Sequence, residues 1–148
     1  MTADRLPRLL VLDDREGLVR SASGIDSLRQ ACRVTVLEQP LDGIDDAELA
    51  DVRLLMAIRE RTRLDAATLA RFPALELILQ TGSHAYHVDA GELARRRIPV
   101  ALGRRGQAVR SAVPELTLLL TRLDPAELLD PQVVPAGDAL GGVLGAPP

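Results

Sequence analysis

Both histidines of the chain, His84 and His87, fall in one short segment with Tyr86 between them. Histidine is the side chain whose ordinary pKa lies closest to neutral pH, so either imidazole could act as a general acid or base. A tyrosine hydroxyl beside them could donate a hydrogen bond to an oxyanion that develops during a reaction. The segment therefore suggests proton transfer, with the alternative that a loop histidine simply bonds a backbone carbonyl.

Residues suited to holding an anion flank this segment. Gly82 and Ser83 precede the first histidine, and the exposed backbone amides of such small residues can receive a carboxylate or a carbonyl oxygen. The alternative is a plain turn. Arg59 could clamp a carboxylate through two parallel hydrogen bonds. In its alternative role it pairs with Glu60 or Glu115 and ties loops together.

The elements that must position these residues alternate regularly along the chain. Strands are predicted at 8–12, 33–37, 54–58, 75–80 and 98–102, and helices at 17–31, 45–50, 64–71, 89–97 and 111–123. Strands that alternate with helices through short loops favour a parallel sheet covered on both faces. We therefore predict an α/β fold, a flavodoxin-like three-layer sandwich with a five-stranded parallel sheet.

Ligands of such sheets bind beyond the carboxyl ends of the strands, and all the candidate residues except Glu115 follow those ends. The candidate catalytic residues are His84, Tyr86, His87 and Glu115. The candidate substrate-binding residues are Arg59, Glu60, Thr81, Gly82, Ser83 and Arg104. No metal site is predicted, because a His-x-x-His pair in a loop lacks a third and a fourth ligand.

The composition of the chain excludes several classes of partner. Aromatic residues make up 1% of the sequence and the net charge is −3, so neither a base-stacking platform nor a basic surface for nucleic acid or anionic membrane is expected. All 18 basic residues are arginine, which excludes a Schiff-base lysine and a P-loop. One cysteine and no apolar leader or span lead us to expect a soluble cytoplasmic protein.

The last part of the chain differs in composition from the rest. We predict one domain over residues 1–123 and a flexible Pro/Gly-rich tail over 124–148, so that removing the residues after Asp130 should cost little stability. The helix before this tail carries a stripe of Leu116, Leu119, Leu120 and Leu123. Monomers avoid a bare stripe of this kind, so we expect a homodimer, and a monomeric mass by light scattering would count against it.

Five short motifs resemble those of one known family. They are Ile58-Arg-Glu-Arg-Thr62, Phe72-Pro-Ala-Leu-Glu76, Gln80-Thr-Gly82, His87-Val-Asp89 and Val113-Pro-Glu-Leu-Thr117. Over roughly residues 8–123 the chain resembles the N-terminal, substrate-side domain of the D-2-hydroxyacid dehydrogenases. The resemblance implies the same flavodoxin-like fold and a carboxylate-receiving loop at Gly82 and Ser83. Pro114 departs from the alanine that is usual in that family.

The cofactor half of that family has no counterpart in these 148 residues. No G-x-G-x-x-G motif is present, and the family's catalytic Arg, Glu and His would lie beyond Pro148. We therefore expect no bound cofactor and no redox activity of the chain alone. We predict a non-redox enzyme of isomerase, cyclase or lyase type that acts on a carbonyl- or carboxylate-bearing metabolite. The alternative is a binding or assembly subunit of a split dehydrogenase whose partner brings the dinucleotide domain.

Overall fold

The sheet is parallel across its five main strands, as the alternation of elements predicts. The computed structural model describes residues 6–21, 25–81 and 85–102, together with the backbone of residues 143–144. The strands are β1 Arg8–Leu12, β2 Arg33–Val36, β3 Val52–Ala57, β4 Leu77–Gln80 and β5 Val100–Leu102. They lie in the order β2-β1-β3-β4-β5, and each adjacent pair is parallel. The prediction of an α/β fold with a parallel sheet is confirmed.

A sixth strand extends the sheet beyond the five that the sequence predicts. This strand, β6, is Val143–Leu144, and it pairs antiparallel with β5 through Val100 and Leu144. It falls within the segment predicted as a flexible tail, whose other residues lie outside the described part of the chain. Pairing at β5 covers an edge that would otherwise present unpaired backbone groups.

Alternate residues of the strands pack into two separate cores, one on each face of the sheet. Leu9 and Val11 belong to one core and Leu10 and Leu12 to the other. Successive side chains of a strand point to opposite faces, so strands this apolar must be covered on both sides. The helices provide the cover, and they are α1 Ile25–Ala31, α2 Asp46–Leu49, α3 Ala66–Ala70 and α4 Ala90–Arg96.

The helices are divided between the two faces, which makes the fold a three-layer sandwich. Helix α1 contributes Leu28 to the first core. The second core receives Leu49 from α2, Leu69 from α3 and Leu93 from α4, with Phe72 fully buried among them. A short 3-10 helix at Leu41–Gly43, which the sequence analysis did not predict, precedes α2.

The segment between β1 and α1 differs from its prediction. A helix over residues 17–31 was expected, but residues 15–16 and 18–21 form turns and the described helix begins at Ile25. The buried carboxylate of Asp14 accepts hydrogen bonds from the backbone amides of Leu18, Val19 and Arg20, at 2.8, 3.1 and 3.4 Å. Because these amides bind the Asp14 carboxylate, the chain turns back toward the end of β1 as a loop. This part of the helix prediction was therefore wrong.

Several expectations fall on residues outside the described ranges, among them the helix at 111–123 and its leucine stripe. The homodimer therefore stays a prediction. Among the helices of the described residues, none is long and apolar enough to cross a membrane.

Candidate functional site

Two neighbouring strands end in residues with an uncommon backbone conformation. Asp13 follows β1 with a φ of 65°, and Arg59 follows β3 by two residues with a φ of 61°. Leu12 and Ala57, the last residues of these strands, are register partners. Non-glycine residues rarely adopt the left-handed region, and strained positions concentrate at functional sites. The carboxyl edge of the sheet around the end of β3 is therefore the candidate site.

The end of β4 holds Arg59 in its strained conformation. The backbone amide of Arg59 donates to Thr81 Oγ1 at 3.1 Å, and its carbonyl accepts from Gln80 Nε2 at 3.1 Å. The Thr81 hydroxyl also donates to the Ala57 carbonyl at 3.3 Å. Gln80 and Thr81 are both buried. Both backbone polar groups of Arg59 are thus fixed from a neighbouring strand, which is the kind of support that strain requires.

The side chain of Arg59 is left available by this arrangement. Arg59 is exposed, and within the described part of the chain its guanidinium makes no hydrogen bond and no ion pair. The expected alternative of a pair with Glu60 is not the arrangement found. Glu115, the other expected partner, lies outside the described residues. The Arg59 guanidinium can therefore bind an anion from solution.

His87 is positioned between the loop after β3 and the loop after β4. Its side chain is only 7% exposed, and its Nδ1 lies 4.0 Å from Glu60 Oε1. Its backbone carbonyl accepts a hydrogen bond from the amide of Leu64 at 2.9 Å, and the amide of Asp89 donates to the Leu64 carbonyl at 2.9 Å. His87 thus helps to join the two loops. Its catalytic role stays a prediction.

Tyr86 is the opposite case, because its side chain faces solvent. The residue is 86% exposed, the one large hydrophobic residue of the described chain with that property. The remaining candidates, His84, Gly82, Ser83, Arg104 and Glu115, lie outside the described residues, and their roles stay predictions. Of the described candidates, the structure joins Arg59 with Thr81 and Glu60 with His87.

Residues outside the set of candidate site residues tie the β1 loop to the β3 loop. Arg61 donates to the Asp13 carbonyl at 2.9 Å and forms an ion pair with Glu16. The hydroxyl of Thr62 donates to Asp13 Oδ2 at 2.5 Å. The signal for this connection was present in the sequence, since Asp13 ends one strand and Arg61 and Thr62 follow the neighbouring one. Among the described residues, no cluster of three potential metal ligands occurs.

The Glu16 and Arg61 pair predicts a specific acid sensitivity. The hydrogen bond from Arg61 lowers the pKa of the Glu16 carboxyl from 4.5 to about 2. A lowered pKa favours the ionised form in the folded state, so the pair stabilises above pH 4.5 and this contribution is lost as the pH falls toward 2. We expect Glu16→Gln to be less stable than the parent at neutral pH, with the difference shrinking in acid. Urea denaturation midpoints of both proteins, at neutral pH and in acid, measure this difference in stability. A difference of the same size under both conditions would contradict the prediction.

Comparison with known proteins identifies the fold and the sequence pattern. A D-3-phosphoglycerate dehydrogenase oxidoreductase from Ralstonia solanacearum is 32% identical with a TM-score of 0.59, and the match covers 76% of this chain and 34% of that one. A phosphoglycerate oxidoreductase from Vibrio cholerae is 31% identical with a TM-score of 0.58, covering 78% and 37% of the two chains. The resemblance to the D-2-hydroxyacid dehydrogenases is confirmed.

A further solved structure supports the fold alone. The 2-hydroxyacid dehydrogenase from Ketogulonicigenium vulgare is 23% identical with a TM-score of 0.51, and the match covers 69% of this chain and 30% of that one. The chain therefore spans about a third of the length of these dehydrogenases. No protein-family model matches the chain, and no curated protein matches it either.

Proposed function

We propose that this dehydrogenase-like domain binds a small 2-hydroxy or 2-oxo carboxylate at the carboxyl edge of its sheet. The loops after β3 and β4 form the site, and Arg59 is the partner of the carboxylate. One observation carries the proposal: the backbone of Arg59 is fixed in a strained conformation while its guanidinium stays uncommitted. A guanidinium presents two parallel N–H donors that match the two oxygens of a carboxylate.

The class of ligand follows from the related structures. Two of them, both more than 30% identical, are named for phosphoglycerate, which is itself a 2-hydroxy carboxylate. Gly82 and Ser83, which follow Thr81 directly, would supply backbone amides to the same carboxylate. The Thr81 hydroxyl serves the site indirectly, since it fixes the backbone of Arg59 and is itself buried.

A binding role fits the described residues better than a catalytic one. The imidazole of His87 is nearly covered and lies beside Glu60, and the polar groups of Gln80 and Thr81 shape the loop. We therefore propose first a substrate-binding subunit that operates with a separate dinucleotide-binding protein. The exposure of Tyr86 favours a second candidate, a non-redox isomerase, cyclase or lyase that uses this hydroxyl together with His84.

Kinetics of single variants separate the two candidates once a reaction is found. Removal of a general acid or base costs about 10²–10⁴-fold in rate. For the enzyme, His84→Ala should show a loss of this size without a change in melting temperature, and His87→Ala, which removes a nearly buried imidazole, is assayed at a temperature at which the variant stays folded. Near-parental turnover in both variants would reject proton transfer by this loop and leave the binding subunit.

Nicotinamide nucleotides should not bind to the 148-residue chain by itself. The sequence has no G-x-G-x-x-G turn to present a helix N-terminus to a pyrophosphate. We expect isothermal titration calorimetry with NADH and NADPH to give no binding at micromolar concentration. Micromolar affinity for either nucleotide would contradict this prediction.

Calorimetry with small acids tests the proposed function directly. We expect D-lactate and D-3-phosphoglycerate to bind, and lactamide, which replaces the carboxylate of lactate by a neutral amide, not to bind. Arg59→Ala should abolish the difference between acid and amide. Equal binding of D-lactate and lactamide by the parent protein, or no binding of either acid, would reject the proposal.

A further inference from the structure

A separate cleft opens at the same edge of the sheet, between the loops that follow β1, β2 and β3. Its volume is about 310 Å³, which is within the range of small-ligand sites. The lining includes Arg15 from the first loop, Leu41 and Asp42 from the second, and Arg61 and Arg63 from the third. The cleft shares the loop after β3 with the Arg59 site, but Arg59, Glu60 and Thr81 do not line it.

Hydrogen bonds between the loops fix the walls of the cleft. On one side, Arg61 and Thr62 bind the carbonyl and the carboxylate of Asp13. On the other side, Arg71 forms an ion pair with Asp46 at 2.5 Å and donates to the backbone carbonyls of Leu41 and Ile44. A ligand entering the cleft would therefore meet a preorganised frame, which lowers the cost of binding.

Two arginines that line the cleft take no part in these hydrogen bonds between loops. Arg15 and Arg63 are exposed, and within the described residues neither guanidinium makes a hydrogen bond or an ion pair. The acidic residues of the lining are mostly committed elsewhere. Asp13 accepts from Thr62, and Asp65 caps α3 by accepting from the amide of Thr68 at 2.9 Å.

The charge that remains uncommitted in the cleft is positive. Asp42, which is exposed, is the one lining carboxylate of the described structure without a hydrogen bond, and two uncommitted arginines line the same cleft. The two arginines and Asp42 leave a surplus of one positive charge, which attracts an anion. Guanidinium groups bind phosphate oxygens with paired donors, and a phosphate group offers three acceptor oxygens where a carboxylate offers two.

We propose that the cleft is a phosphate-binding site in which Arg15 and Arg63 hold the phosphate group. The phosphate is either free or the ester group of a phosphorylated metabolite. This proposal does not rest on the Arg59 site, because Arg59 does not line the cleft. Phosphate can bind here whether or not a carboxylate binds beside β4.

Titration of the full chain with inorganic phosphate tests the proposal, with chloride at equal ionic strength as the reference. We expect saturable binding by calorimetry that weakens about 10- to 100-fold in each of Arg15→Ala and Arg63→Ala, the loss typical of a hydrogen bond to a charged group. Arg29→Ala removes one exposed arginine of α1 that does not line the cleft, and it should leave phosphate binding unchanged.

Two further titrations identify the source of the phosphate and distinguish this site from the Arg59 site. Glycerol 3-phosphate that binds more tightly than inorganic phosphate would identify a phosphorylated metabolite, and the reverse order would identify free phosphate. Arg59→Ala should retain phosphate binding even though it loses D-lactate. The proposal is overturned if the parent chain binds phosphate no better than chloride, or if Arg29→Ala weakens binding as much as Arg15→Ala and Arg63→Ala do.

Discussion

Replacing Arg59 by glycine should weaken carboxylate binding strongly without reducing stability. The substitution removes a charge-assisted interaction, so we expect affinity for D-lactate to fall about 10- to 100-fold. It also relieves a left-handed backbone that costs a non-glycine residue about 1–2 kcal/mol, partly offset by the greater freedom of glycine in the unfolded chain. The free energy of unfolding should therefore be unchanged or rise by up to about 1 kcal/mol. Calorimetry and urea denaturation measure the two quantities.

Arg97 provides a matched control for this experiment. It is also an exposed arginine with a left-handed backbone, with a φ of 56° at the C-cap of α4, where such a conformation is routine. Arg97→Gly should give a similar change in stability and leave D-lactate binding intact. If Arg59→Gly kept its affinity for D-lactate, the Arg59 guanidinium would have no role in binding. If Arg59→Gly were strongly destabilised, the arginine would be a structural residue.

The largest loss of stability is expected for Asp14→Ala. Its carboxylate is fully buried and accepts from three backbone amides, which would be left without partners. A buried donor that loses its acceptor costs about 1–3 kcal/mol, and two of these amides are only partly buried, so we expect a loss of about 3 kcal/mol. Urea denaturation at neutral pH measures the difference in the free energy of unfolding.

Two companion variants make this test specific. Asp14→Asn retains one acceptor oxygen and should be destabilised less than Asp14→Ala. Asp42→Ala removes an exposed carboxylate that has no hydrogen bond in the described structure, and it should stay within about 0.5 kcal/mol of the parent. A loss below about 1 kcal/mol for Asp14→Ala would show that water replaces the carboxylate at the loop amides.

The parallel sheet could be predicted from the sequence because its strands are short apolar runs separated by helical spacing. β1 has the predicted bounds, and β3 differs from its prediction at each end by no more than two residues. The position of Arg59 and Thr81 at one edge follows from the same pattern, since parallel strands end on the same side. The five motifs added the resemblance, which two structures more than 30% identical support.

What the sequence did not reveal depends on backbone geometry and on contacts between distant residues. Nothing local marks Arg59 as left-handed, because its conformation is held by hydrogen bonds from residues 80 and 81. The turns after Asp14 were not predicted for a similar reason. Leu18 has helical spacing, but its amide donates to the Asp14 carboxylate and the segment forms a loop. The two-residue strand β6 is too short for any periodic signal.

Titration of the isotope-labelled chain with D-lactate, followed by backbone amide shifts, tests the central claim most directly. The ligand carries a carboxylate and no phosphate. It should therefore change the amide chemical shifts of Arg59, Glu60 and Thr81 and leave the amide shifts of Arg15 and Asp42 unchanged. The same titration of Arg59→Ala should show no saturable shifts. Shifts centred on Arg15, or an unperturbed Arg59 loop at millimolar D-lactate, would contradict the assignment of this edge as the carboxylate-binding site.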